Sequence, residues 1–158
     1  MPNASKPLFQ DERVAFYGLD QLFVAVWDDA PLMPQMKALG EYGRAFESEA
    51  GPVALMNIAA DGTPTFSDDV RRIAADFTRD PTLFQVARAH VILMTGFAGV
   101  AVRAFINTFL LLGNPPRPTR MLSSVDSAAQ WLPQFIEGDR WTPERMANEV
   151  GGLLVRAA

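Results

Sequence analysis

Few residues of this chain have the types and spacing for chemistry. His90 is the single histidine, and there is no cysteine. Paired-imidazole metal sites, thiolate zinc sites, iron–sulfur clusters, thiol catalysis and disulfides are therefore excluded. A Ser–His–Asp arrangement would have to recruit His90, and no Gly-x-Ser-x-Gly elbow accompanies it. Lying where an apolar run begins, His90 reads as a strand-end histidine making ordinary hydrogen bonds. Asp28-Asp29 and Asp68-Asp69 are adjacent acid pairs that could hold Mg²⁺ or share a proton. Each pair, however, precedes or opens a helical pattern, where acids complement the N-terminal dipole. We read both as capping residues.

Gly96-Phe97-Ala98-Gly99 joins an apolar strand to a helix. Such turns can offer backbone N–H groups to an anion. No Lys-Ser/Thr follows and no Gly-x-Gly-x-x-Gly is present, so close helix-on-sheet packing is the simpler account. Arg103 and Asn107, one helical turn apart, form a polar stripe on an otherwise apolar helix. They read as a solvent strip with a snorkelling arginine, or as the polar handle of an apolar pocket or subunit contact.

The elements that must position these residues follow from periodicity. Arg13–Tyr17 and Leu22–Trp27 are β-prone runs around a short Gly18-containing loop, which predicts a hairpin. Leu22–Trp27 is apolar on both faces, the mark of a covered central strand. Met36, Leu39, Gly43, Phe46 and Ala50 form the apolar stripe of a helix ended by Gly51-Pro52. Val53–Ala59 predicts a buried strand, and Val70, Ile73, Ala74 and Phe77 a helix. Asp80-Pro81 predicts a short helix running to Arg88. His90–Thr95 predicts a strand, Phe97–Leu112 a helix, and Arg120–Ser123 a short strand. Two closing helices follow, one after Ser124 and one after Thr142-Pro143.

The expected fold is α/β with a single mixed sheet, in the order β-β-α-β-α-β-α-β-α plus a C-terminal helix. Alternating strands and helices imply right-handed parallel crossovers. Residues 1–10 are expected to be a flexible tail, 11–158 one domain, and helix 142–156 an appendage. The chain has 158 residues, 49% hydrophobic, enough for one core without a metal or disulfide staple. Its net charge of -4 and scattered basic residues argue against nucleic acid. Val91–Gly113 is apolar, but Arg103, Asn107, Gly96 and Gly99 interrupt it, so no transmembrane segment is expected. The N-terminus shows no signal-peptide pattern, which suggests a cytoplasmic protein.

The element order, the run Met94-Thr95-Gly96-Phe97 entering a helix, and Ser123-Ser124 followed by Ala128-Ala129-Gln130-Trp131-Leu132 resemble the SpoIIAA-like branch of the STAS fold, from Glu12 to Ile136. The resemblance implies a small non-enzymatic regulatory module acting through protein contact, as a homodimer or with another partner. It also places candidate phosphorylation at Thr65 and Ser67, although the family's Asp-Ser-Ser-Gly type turn is absent from Asp61–Ser67. The expected contact surface comprises Ser67, Arg71, Arg72, Gly96, Phe97, Gly99 and Arg103, after strand C-termini. A second reading is a carrier of a small apolar ligand, such as a lipid or acyl chain, near Phe97, Arg103 and Phe105. It expects a cavity of about 300 Å³ or more. A hydrolase-type enzyme is the third. No cofactor and no metal are expected.

Overall fold

The computed structural model describes residues 6–157, with side chains to Val155. The expected tail lies partly outside this range, at residues 1–5. Within the range, Phe9–Gln10 is not a tail but a short strand, β1, paired antiparallel with the next strand. The other strands are β2 (Val14–Leu19), β3 (Leu22–Trp27), β4 (Ala54–Ala59), β5 (Arg88–Ile92) and β6 (Thr119–Leu122). The helices are α1 (Met33–Ala50), α2 (Asp68–Arg79), α3 (Gly96–Gly113), α4 (Val125–Trp131) and α5 (Pro143–Ala157), with a 3-10 turn at Leu132–Phe135.

These elements build one mixed, six-stranded sheet in the order β1-β2-β3-β4-β5-β6. Pairing is antiparallel from β1 to β3 and parallel from β3 to β6. The strand order never reverses. Successive right-handed crossovers that all step in one direction must pass over the same face. Accordingly α1, α2 and α3 bury Met36, Leu39, Val70, Ala74, Val102, Ile106 and Phe109 with Phe16, Phe23 and Leu55 of the sheet. The opposite face, with Val24, Met56 and Val91, would be bare without α4 and α5. These cover it with Ala128, Ala129, Met146, Val150 and Leu153.

The C-terminal helix is thus part of the core and not an appendage. Met146 and Val150 are fully buried, and Trp141 lies in the same cluster. The Arg145 guanidinium sits 4.2 Å from the Trp141 ring centroid and bonds Asp20 at 2.7 Å. This ties the start of α5 to the β2–β3 hairpin.

The short helix expected from Pro81 to Arg88 is absent, and Arg88 opens β5 instead. Two buried side chains replace its hydrogen bonds. The Glu47 carboxylate accepts from the backbone N–H groups of Val53, Phe84 and Gln85 at 3.0, 2.5 and 2.9 Å. The Arg88 guanidinium donates to the carbonyls of Phe77, Thr78 and Asp80 at 2.7–2.9 Å and to that of Leu83. One acid satisfies N–H groups and one base satisfies carbonyls, so the backbone need not coil to satisfy itself.

Candidate functional site

Parallel register places a polar row on the helix-covered face of the sheet. Asn57 of β4 and His90 of β5 are direct cross-strand partners, and Trp27 of β3 lies two residues along from the partner of Asn57. The Trp27 indole N–H donates to Asn57 Oδ1 at 2.7 Å. Asn57 Nδ2 lies 3.1 Å from His90 Nδ1.

Donor chemistry sets the direction of this row. Indole nitrogen only donates, so the Asn57 atom facing it is the carbonyl oxygen. The Asn57 amide nitrogen therefore faces His90 and donates, which makes His90 Nδ1 an acceptor. The neutral imidazole then carries its proton on Nε2. Burial, with the nearby Arg88 charge, pushes the His90 pKa down to about 3. His90 is only 6% exposed, and its Nε2–H has no partner among the described residues.

His90 lines a cavity of about 100 Å³ between the sheet and helices α1–α3. Leu55, Met94, Val102, Ile106 and Phe109 give it an apolar lining, and the Phe109 ring meets the imidazole edge-on at 5.4 Å. Arg88 also lines it, two residues from His90 on the same strand face. Among the described residues no carboxylate lies within 4 Å of that guanidinium, and its Nε–H is buried without a partner. Burial lowers the Arg88 pKa to about 10, against the nearby charges of Asp80 and Glu47.

The cavity reaches the ends of β3 and β4, where Asp29, Ala30, Pro31, Asp61, Gly62 and Thr63 line it. These loops are fastened together. Asp29 Oδ1 accepts from the N–H groups of Ala30 at 2.8 Å and Thr63 at 3.1 Å, and Asp29 pairs with Arg13 at 3.3 Å. The Thr63 and Ala30 hydrogen bonds hold the Asp29 carboxyl below its ordinary pKa, aided by Arg13. Gly62, at φ 130, allows the approach, since a Cβ there would lie 2.6 Å from Asp29 Cα. Asp28 beside them is shifted up by partial burial and by Asp61. Phe66 of the β4–α2 loop stacks face to face on Phe105 of α3, with 3.8 Å between centroids, and both rings line the cavity.

None of the seven residues of the expected contact surface lines this cavity. Ser67 is exposed and its Oγ accepts from Val70 N–H at 3.2 Å as the cap of α2. Thr65, Arg71 and Arg72 are exposed, and Arg72 pairs with Asp69 at 3.4 Å. Gly96 opens α3 with φ 66, and Phe97 is 96% exposed. Gly99 is buried, and a Cβ there would lie 2.3 Å from the Met94 carbonyl oxygen, so its role is close packing. Arg103 is half-buried. Of the residues expected near an apolar ligand, Phe105 is at the cavity and Phe97 and Arg103 are not.

Among the described residues no group of three or more acids or histidines could hold a metal ion. The sequence reading passed over Trp27, Asn57 and Arg88 and placed His90 at a strand end. The available signal was Arg88 and His90 alternating within a run otherwise suited to a buried strand, with Asn57 doing the same in β4. No family model, no curated protein and no solved structure matches the chain.

Proposed function

We propose that this protein is a non-catalytic binding module of STAS/SpoIIAA-like type that takes one small, mainly apolar molecule between its sheet and helices α1–α3. The cavity described above carries this reading. An apolar cavity of about 150 Å³ admits benzene. At about 100 Å³, a third of the size expected for a lipid or acyl carrier, this one suits at most one small ring or a short chain and not a full acyl chain. A neutral imidazole pinned by Asn57 is poorly placed to act as a general base.

Titrating the ¹⁵N-labelled protein with benzene tests the reading. Saturable shifts at Leu55, Asn57, Met94 and Ile106 are expected. Shifts absent at these residues, with benzene near its solubility limit, would refute it.

A second reading, protein contact, is favoured by the outer face of α3. Phe97, Val100, Leu111 and Leu112 are 96, 66, 84 and 64% exposed on a helix whose inner face packs in the core. This helix is long and apolar enough to cross a membrane by length and composition, and 28% of it is buried. An uncharged stripe suits a second copy of the chain meeting it about a two-fold axis. Sedimentation equilibrium tests this. A dimer that Phe97→Glu with Leu111→Glu converts to monomer supports it, and a monomer at high concentration removes it.

A further inference from the structure

We infer that the cavity selects uncharged molecules bearing a carbonyl-type oxygen, held by the Nε2–H of His90, which Trp27 and Asn57 lock as a hydrogen-bond donor. The inference rests on the binding-module reading and adds the chemistry of the ligand. Its core is one polar atom without a partner among the described residues, on a side chain more than nine-tenths buried that lines an apolar space and whose other ring nitrogen is held by Asn57.

Each link follows from the one before. The indole can only donate, the asparagine must turn its oxygen to the indole, and its amide nitrogen must then face the imidazole. Nδ1 is thereby occupied as an acceptor, and the one proton of the neutral ring sits on Nε2. A hydrocarbon bound against this N–H shuts it off from any acceptor, which weakens binding. A ligand that brings an acceptor to it keeps the hydrogen bond.

Charge completes the preference. The titratable and charged groups lining the cavity are Arg88 beside His90 on β5, and Asp29 and Asp61 at the rim; the lining from α1, α2 and α3 is uncharged. The Arg88 guanidinium, whose Nε–H has no partner, favours the negative end of a dipole at the inner wall. Asp61 at the rim and the dry lining disfavour a full negative charge, Asp29 being paired with Arg13. An uncharged acceptor satisfies both ends, and a carboxylate meets repulsion on entry.

The test uses the full chain and a matched pair of probes, cyclopentanone and methylenecyclopentane, which exchange a carbonyl oxygen for a methylene carbon at nearly constant shape. Wild-type protein should bind the ketone about 3–10-fold more tightly, the range of one neutral hydrogen bond. Because the chain has a single histidine, its long-range ¹H–¹⁵N imidazole spectrum is unambiguous. It should show a proton on Nε2 and none on Nδ1, with the Nε2–H signal moving on addition of ketone but not of olefin. Cyclopentanecarboxylate should bind more weakly than the ketone.

Binding of the olefin equal to or tighter than that of the ketone overturns the donor inference and leaves the binding-module reading standing. A proton on Nδ1 does the same. Failure of both neutral probes to bind at the cavity removes both. The spectrum of the unmodified protein makes the outcome independent of whether a His90 variant folds.

Discussion

Lowering the pH should destabilise this protein by protonating His90 in the unfolded chain. The folded imidazole has its pKa pushed from 6.5 to about 3. Between those values the unfolded state binds a proton that the folded state refuses, so stability falls as pH falls. The contribution is fully present above pH 6.5 and lost on the way down to about pH 3. At about 1.4 kcal/mol per pH unit, roughly 2 kcal/mol should be gone at pH 5, out of a total of about 5–15. The assay is urea unfolding from pH 7.5 to 4.5, with His90→Gln measured alongside. Asp11, Asp29 and Asp80, whose pKa values are lowered, also lose stability in acid, mainly below pH 5 and equally in both proteins. The wild-type curve should therefore fall more steeply than the variant's between pH 6.5 and 5. Parallel curves would refute the buried neutral imidazole and the hydrogen-bond row built on it.

Asn57→Asp should reverse that behaviour. A carboxylate opposite His90 Nδ1 favours the imidazolium, so the single histidine should titrate at or above pH 6.5 by NMR, and the steep acid loss should disappear. Glu47→Ala strips three backbone N–H groups of their acceptor and should cost at least about 3 kcal/mol in urea unfolding. Gly62→Ala places a Cβ against the Asp29 backbone at an unfavourable φ and should cost at least about 2 kcal/mol by the same assay. Truncation before Trp141 removes four buried side chains, Trp141, Met146, Val150 and Leu153, together worth roughly 6–12 kcal/mol. The shortened chain should lose the dispersed amide spectrum of a folded domain.

Local pattern determined much of this protein. The runs around Leu22–Trp27, Val53–Ala59 and Val91–Met94 are apolar on successive residues, and only a strand covered on both faces buries such a run. The stripes from Met36 to Phe46 and from Val70 to Phe77 repeat at the helical period, so their inward faces were legible too. Glycine and proline punctuated the chain for equally local reasons, and the α/β class followed from strands alternating with helices.

Contacts between distant segments decided the rest. Residues 81–87 carry good helix-start signals, yet Glu47 and Arg88 satisfy their backbone from outside the segment. An apolar stripe on the last helix says that it packs, but only the one-directional strand order shows that a whole sheet face depends on it. The candidate site is of this second kind. Trp27, Asn57 and His90 are each unremarkable in sequence, lying about thirty residues apart. Parallel register alone makes them neighbours, and register is a property of paired strands, so no reading of one segment contains it.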